Sequence, residues 1–295
     1  VFPDFLCIGA QKAGTTWLHH NLAQQPEIWL PPIKEVHFLD HPPPSLTKRL
    51  FGRRRFHALT RTNAKSAALG LLKGTSKFED FKAAWRFAYG KRDLDWYSSL
   101  FPSRPGLACG EICPGYARLP PEMIRTIVQR NPRLKIIYLL RDPIDRAWSS
   151  VAMHFRKQGR KTIITEQLGE AERARLVNRI GNSTFQSHCR YDANISNWLT
   201  YLPESQIYFG FFERIEADPA GYLADILRFL GAERAPIASA PRERINAGRG
   251  EVIDPVIERE LGVRLMGEAA CAEIRFGNLY TAQWLAHAKA AVGQA

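Results

Sequence analysis

Phe5-Leu6-Cys7-Ile8-Gly9-Ala10-Gln11-Lys12-Ala13-Gly14-Thr15-Thr16-Trp17-Leu18 is the stretch whose reading decides the fold. The apolar run that ends at Gly9 reads as a buried strand. Gln11 to Thr16 is a small-residue turn, with Thr15 or Thr16 as the expected cap of a helix that carries Trp17, Leu18 and Leu22 on one face. A turn of this kind aims several backbone N–H groups at one point, and the helix dipole makes that point favourable for an anion. Gly9 and Gly14 have the spacing of the pattern G-x-x-x-x-G-K-[ST], and Thr16 stands in its hydroxyl position. The lysine position of that pattern is Thr15, however, and the loop's lysine is Lys12. No strand ending in Asp suggests a Mg²⁺ ligand of the usual NTPase kind. The loop is therefore expected to cradle a phosphate without a metal, with Lys12 reaching a bridging oxygen.

Working outward, the clearest further strand is Leu134 to Leu140, which runs directly into Arg141-Asp142-Pro143 and a helix through about Arg156. Leu107 to Ile112, Ile207 to Phe212 and a short Ile28-Trp29-Leu30 piece also read as strands. Helices are expected at about Pro120 to Gln129, at Ser187 to Tyr201, and from Asp218-Pro219 to Gly231. From Ala235 onward no pattern is clear, and Asn246 to Gly250 reads as a polar loop. Strands alternating with helices predict a three-layer α/β fold around a parallel sheet of about five strands. Residues 1–295 are expected to form one domain, with a basic helical insert at about 45–100. Ligands of such sheets bind at the carboxyl ends of the strands. Arg141 belongs to the same edge as Lys12, and Ser149 follows two helical turns later. An arginine with a serine hydroxyl can grip a second phosphate. Together the two loops suggest a nucleotide with two separate phosphate groups.

The chain has 295 residues, 45% of them hydrophobic, as in a folded protein, and no apolar run reaches the length of a membrane span. Lys+Arg total 41 against Asp+Glu 29, a net charge of +12, which favours anionic partners. Much of the excess lies in Lys48, Arg49, Arg53, Arg54, Arg55, Arg61, Lys65, Lys73 and Lys77, a stretch that reads either as a solvated helical surface or as an anion-binding one. The five cysteines fit no zinc spacing, Cys7 and Cys109 read as core residues, and a reducing compartment is the simpler expectation. No basic-then-apolar leader opens at Val1, so no signal peptide is expected.

At this point the chain resembles a known family. Gln11 to Leu18 is similar to the 5′-phosphosulfate loop of sulfotransferases, and Arg141 to Ser149 to their 3′-phosphate motif; the likeness runs from about Pro3 to Gly250. The resemblance implies a P-loop-kinase-like core and 3′-phosphoadenosine-5′-phosphosulfate (PAPS) as co-substrate, without a metal. It implies that Lys12 stabilises the bridging oxygen, that Ala13, Gly14, Thr15 and Thr16 hold the 5′-phosphate, and that Trp17 stacks on adenine. Arg141 and Ser149 would bind the 3′-phosphate, and Arg249 and Gly250 would lie in a loop that closes over the nucleotide.

Cytosolic members of the family carry a histidine base in a K-T-H-L-P-like stretch. The comparable stretch here, Cys109-Gly110-Glu111-Ile112-Cys113-Pro114, has none. Glu35-Val36-His37-Phe38-Leu39-Asp40 instead resembles the E-V-H-F-F-D segment of heparan sulfate 3-O-sulfotransferases, which implies Glu35 as general base with His37 and Asp40 beside it. Alternation along an extended segment would put Glu35 and His37 on one side, and Lys12 and Lys34 near Glu35 would keep it ionised. Two plainer readings stay open, a packed His37 and a Glu35 that merely pairs with Lys34. Lys34, Asp40 and Glu111 are expected to meet the acceptor, with Glu111 as a reserve base. The insert, including Trp96-Tyr97 and Phe101, is expected to form the acceptor side.

The leading expectation is thus transfer of a sulfuryl group from PAPS to a hydroxyl of a carbohydrate or carbohydrate-bearing, glycan or lipid-linked acceptor. The alternatives are a P-loop nucleotide kinase or ATPase, and a non-catalytic module that binds an anionic polymer. No nucleic-acid partner is expected, since no such motif is present; contact with a membrane surface is compatible with the charge. A cytoplasmic location is expected, with a Golgi-lumenal catalytic domain separated from its anchor as the other possibility.

Overall fold

The computed structural model describes residues 2–31, 33–40, 93–102, 105–157, 169–232 and 253–293. Strands β1 (Phe5–Gly9), β2 (Ile28–Trp29), β3 (Ala108–Ile112), β4 (Lys135–Leu140) and β5 (Ile207–Phe211) form one sheet in the order β2-β3-β1-β4-β5. Every neighbouring pair is parallel. β1 and most of β4 are buried on both faces, which is why these runs are continuously apolar rather than alternating. Asp4 sets the start of β1 against both neighbours. Its N–H donates to Cys109 O (2.7 Å), its carboxylate accepts from Cys109 N (2.9 Å), and its carbonyl accepts from Lys135 N (2.9 Å).

The helices are α1 (Thr15–Leu22), α2 (Leu94–Ser99), α3 (Pro121–Arg130), α4 (Pro143–Lys157), α5 (Glu170–Ile180), α6 (Ser183–Ser187), α7 (Tyr191–Leu199), α8 (Arg214–Ala217), α9 (Pro219–Leu230), α10 (Pro255–Phe276) and α11 (Leu279–Gly293). The α/β architecture with a five-stranded parallel sheet is as the sequence predicts. Asp218 caps α9 through Gly221 N (2.9 Å), and Gly231 closes it at φ 78°. Three details differ. The cap of α1 is Gly14, not a threonine. The helix expected at 187–201 is α7, which starts only at Tyr191, because the chain turns through His188 to Arg190 after the short α6. The stretch after Ala235 that showed no pattern contains α10, capped by Asp254, and α11.

Of the expected insert at 45–100, only 93–100 lies within the described residues. There α2 turns Trp96 and Tyr97 into the core. Phe38 stacks on Tyr97 at 5.0 Å and meets Trp96 at 5.4 Å, and Phe101 packs edge-on to Tyr97 at 5.2 Å. These aromatics do not stand open to an acceptor, contrary to the sequence reading; burying them gains more than presenting them to water would. Cys7 and Cys109 are buried as expected, and all five cysteines are free thiols.

Candidate active site

Because the sheet is parallel, the loops after β1, β3 and β4 emerge at one rim. The loop after β1 enters α1 with Lys12 at φ 73° and Gly14 at φ 88°. Glycine is needed at position 14, since a Cβ there would also run into the Ile215 side chain. As the cap of α1, Gly14 offers no side-chain acceptor, so the first-turn N–H groups point at whatever sits in the loop.

Arg141 leaves the end of β4 and crosses to this loop. One terminal nitrogen donates to Lys12 O (3.2 Å), the other lies 3.5 Å from Asp145 Oδ2, and the guanidinium covers the Phe212 ring at 4.4 Å. Its Nε is buried with no hydrogen-bond partner among the described residues. Asp142 caps α4 by accepting from Ile144 N (2.8 Å) and Asp145 N (3.2 Å), and Ser149 stands half-buried farther along that helix.

The segment 33–40 completes the rim. It is not extended, as the sequence reading had it. Glu35 (φ 59°) and His37 (φ 53°) both adopt the left-handed region, which is strained for residues with a Cβ. Their side chains nevertheless meet. His37 Nε2 lies 3.5 Å from Glu35 Oε2, and Nδ1 lies 2.8 Å from Asp40 Oδ2. Gly115 makes room for this, since a Cβ there would strike the Asp40 carboxylate.

The strain is held from beneath by Glu111 at the end of β3. Its carboxylate accepts from Val36 N (2.7 Å), Tyr97 OH (2.6 Å) and Tyr116 OH (3.1 Å), while Tyr116 OH accepts from Phe38 N (3.1 Å) and Leu39 N (3.4 Å). Burial pushes the Glu111 carboxyl up to about 7. Glu111→Ala strands these donors in the core, and we expect it to lower unfolding stability by about 3 kcal/mol. Urea denaturation checks this; an unchanged midpoint refutes the clamp.

Lys34 joins the segment to the loop. Its Nζ donates to Thr16 Oγ1 (2.7 Å) and lies 3.7 Å from Glu35 Oε1. The hydrogen bond from His37 and the charge of Lys34 hold Glu35 below the usual carboxylate range despite partial burial. Asp40, with Cys113 and Glu35, pushes His37 up to about 12. Both ring nitrogens face carboxylates, so His37 is an imidazolium with no lone pair to offer. Glu35, with a side chain 36% exposed, is an ionised carboxylate at the rim.

The sulfotransferase family model matches residues 3–236. The chain belongs to the sulfotransferase family. It is thus a sulfotransferase-family enzyme, and membership implies use of PAPS. The non-catalytic reading gives way to this membership. The chain is 32% identical over 149 residues to heparan sulfate glucosamine 3-O-sulfotransferase 6 of Mus musculus, covering 48% of this chain and 41% of that protein. It is 25% identical over 240 residues to bifunctional heparan sulfate N-deacetylase/N-sulfotransferase 2 of Homo sapiens, covering 78% of this chain and 22% of that protein. This sulfotransferase chain therefore spans less than half the length of these relatives. A solved sulfotransferase from Alicyclobacillus acidocaldarius shares the fold at a TM-score of 0.65 and 24% identity, covering 96% of this chain and 99% of that one. No helix among the described residues is long and apolar enough to cross a membrane.

Among the expected sulfotransferase site residues, Lys12 to Thr16, Lys34, Glu35, His37, Asp40 and Arg141 converge on one rim. Trp17 does not offer a ring to adenine. It is 2% exposed and stacks on Tyr222 at 5.6 Å, on the face of α1 that packs into the core. Glu111, 1% exposed and fully engaged, has no side open to an acceptor. Arg249 and Gly250 lie outside the described residues. The histidine missing from the Cys109 to Pro114 stretch arrives from elsewhere, with His37 Nδ1 3.4 Å from Cys113 Sγ. Tyr97 as a ligand of Glu111 went unread, because no local pattern marks a tyrosine that bonds a distant carboxylate. Two groups of the described residues, His37–Asp40–Cys113 and Asp142–Asp145–His287, bring donor atoms close enough for a cation.

Proposed function

We propose that this sulfotransferase transfers a sulfuryl group from PAPS to a hydroxyl of a carbohydrate acceptor, with Glu35 as the general base and no metal. When bound, PAPS supplies the sulfuryl group and a phosphate leaving group. Two features fit this nucleotide: the start of α1 behind Gly14, which no side chain caps, and the buried Nε of Arg141 at the same rim, unpartnered among the described residues. In this reading Lys12 and the N–H groups of Gly14 to Thr16 hold the 5′-phosphate, and Arg141 and Ser149 the 3′-phosphate; the Ala13 N–H, expected to join them, is given to Ala10 O instead (3.1 Å). Sulfuryl transfer then asks of the chain orientation, cationic stabilisation and a base for the acceptor's proton.

The observation that carries this reading is the Lys34 bridge, 2.7 Å from Thr16 on the loop and 3.7 Å from Glu35. It sets an ionised carboxylate beside the loop where the transferred group would sit. His37, protonated between Glu35 and Asp40, orients the base rather than acting as one. The carbohydrate acceptor is supported by the likeness to a heparan sulfate glucosamine 3-O-sulfotransferase and by the net positive charge. We read residues 1–295 as one domain whose 45–100 insert serves the acceptor side.

The test is ligand-dependent stability. We expect 3′,5′-ADP to raise the melting temperature equally with and without EDTA, and ATP with Mg²⁺ to do little. Stabilisation by ATP with Mg²⁺ alone favours the kinase reading, against which the displaced Lys12 and the engaged Thr16 hydroxyl stand. Radiolabelled PAPS offered with sulfated oligosaccharides and with lipid-linked sugars then separates acceptor classes.

A further inference from the structure

Helices α10 and α11 lie beyond the residues that the family model matches, yet they reach the nucleotide rim. His287 on α11 sets Nδ1 2.8 Å from Asp142 Oδ2 and Nε2 3.2 Å from Glu258 Oε1 on α10. Asp142 directly follows Arg141, and its other carboxylate oxygen caps α4. One turn earlier on α11, Trp284 Nε1 donates to Glu213 Oε1 (2.8 Å), the oxygen that also accepts from Asp142 N (3.4 Å). The C-terminal helix thus grips the Arg141-Asp142 turn twice, through the Asp142 side chain and through its backbone N–H. None of these contacts touches Arg141 itself.

We propose that His287 is a positioning residue for nucleotide recognition: by bridging Asp142 to Glu258 it holds the Arg141-Asp142 turn in the geometry that reads a 3′-phosphate. This rests on the assignment of Arg141 to that phosphate. Both nitrogens of His287 face carboxylates, which accept only, so the ring carries both protons. The groups that face it, among the described residues, are Asp142 and Asp145 from the turn and Glu258 from α10, with Glu213 beyond β5 on the far side of Asp142. Asp142 above all pushes His287 up to about 9. The grip is therefore complete below that pH and loosens as pH rises through it.

Calorimetric titration of the whole chain with 3′,5′-ADP and with 5′-AMP, which lacks the 3′-phosphate, tests this. We expect His287→Ala to weaken 3′,5′-ADP binding on the order of tenfold while 5′-AMP stays within about twofold. His287→Asn, whose amide can occupy the Nδ1 position toward Asp142, should restore most of the loss. In the unaltered protein the preference for 3′,5′-ADP should fall as pH rises through about 9, and in the Ala variant it should not. An unchanged preference in the Ala variant overturns the proposal, as does an equal loss for both ligands, which marks a merely structural role. If the Ala variant does not fold, Glu258→Gln decides, since removing that carboxylate must move the pH at which the preference falls downward. An unaltered protein that does not prefer 3′,5′-ADP over 5′-AMP refutes the Arg141 assignment beneath it.

Discussion

Glu35→Gln is expected to lower kcat by roughly 10²–10⁴-fold and to leave 3′,5′-ADP affinity within about twofold. The amide keeps the size of the carboxylate and can still meet Lys34 and His37, but it cannot take a proton from an acceptor hydroxyl. The nucleotide should not notice, because the contact from Glu35 to the loop runs through Lys34, which keeps its 2.7 Å bond to Thr16. The pH profile follows from the same contacts. Glu35 is held below the ordinary carboxylate range, first by His37 and then by Lys34. Its ionised, base-competent form is present at neutral pH and is lost only as pH falls through that lowered value. The acid limb of kcat/KM should therefore lie below the unperturbed carboxylate value of about 4.3, and the Gln variant should lose it. Since His37 keeps its proton up to about 12, it should add no alkaline limb between pH 7 and 10. Near-normal turnover in the Gln variant would move the base to another group.

Lys12→Ala is the second large effect, with turnover down roughly 10²–10³-fold and 3′,5′-ADP affinity down about tenfold. Developing negative charge on the leaving phosphate needs a cation placed in advance, the role proposed for Lys12. Alanine is a fair probe here because it dislikes φ 73° much as lysine does, so the backbone preference changes little. The Lys12 carbonyl that receives Arg141 is also retained. Single-turnover rates together with calorimetric titration separate the two losses. Unchanged turnover would hand the cationic role to Lys34, whose ammonium already sits at the Thr16 hydroxyl.

The loop after β1 and the Arg141 turn were legible because each lies at a strand end, where an apolar run stops at a short polar turn. Local chemistry suffices there: a buried strand must be apolar, and a loop that takes an anion needs small residues and backbone N–H groups. Trp17 shows where local reading stopped. Its place beside the loop matched a base-stacking residue, but α1 turns that position toward Tyr222, and the ring is worth more in the core. Glu111 was misplaced for a related reason. A carboxylate at a strand end normally reads as a group facing the ligand, and only the arrival of Tyr97, Val36 and Tyr116 made it a buried clamp.

Sequence alone determined the α/β class, the parallel sheet, the strand–helix loop with its displaced lysine, and the grouping of Lys34, Glu35, His37 and Asp40. All of these depend on residues near one another in the chain, where periodicity and turn chemistry act. Tertiary structure decided which of those groups can accept a proton, which aromatics are core, and that a C-terminal helix reaches the Arg141 turn. Those outcomes depend on contacts such as Glu111 with Val36 and His287 with Asp142, between residues far apart in the chain. Protonation and burial are properties of such contacts, formed only when the sheet brings its strand ends to one rim.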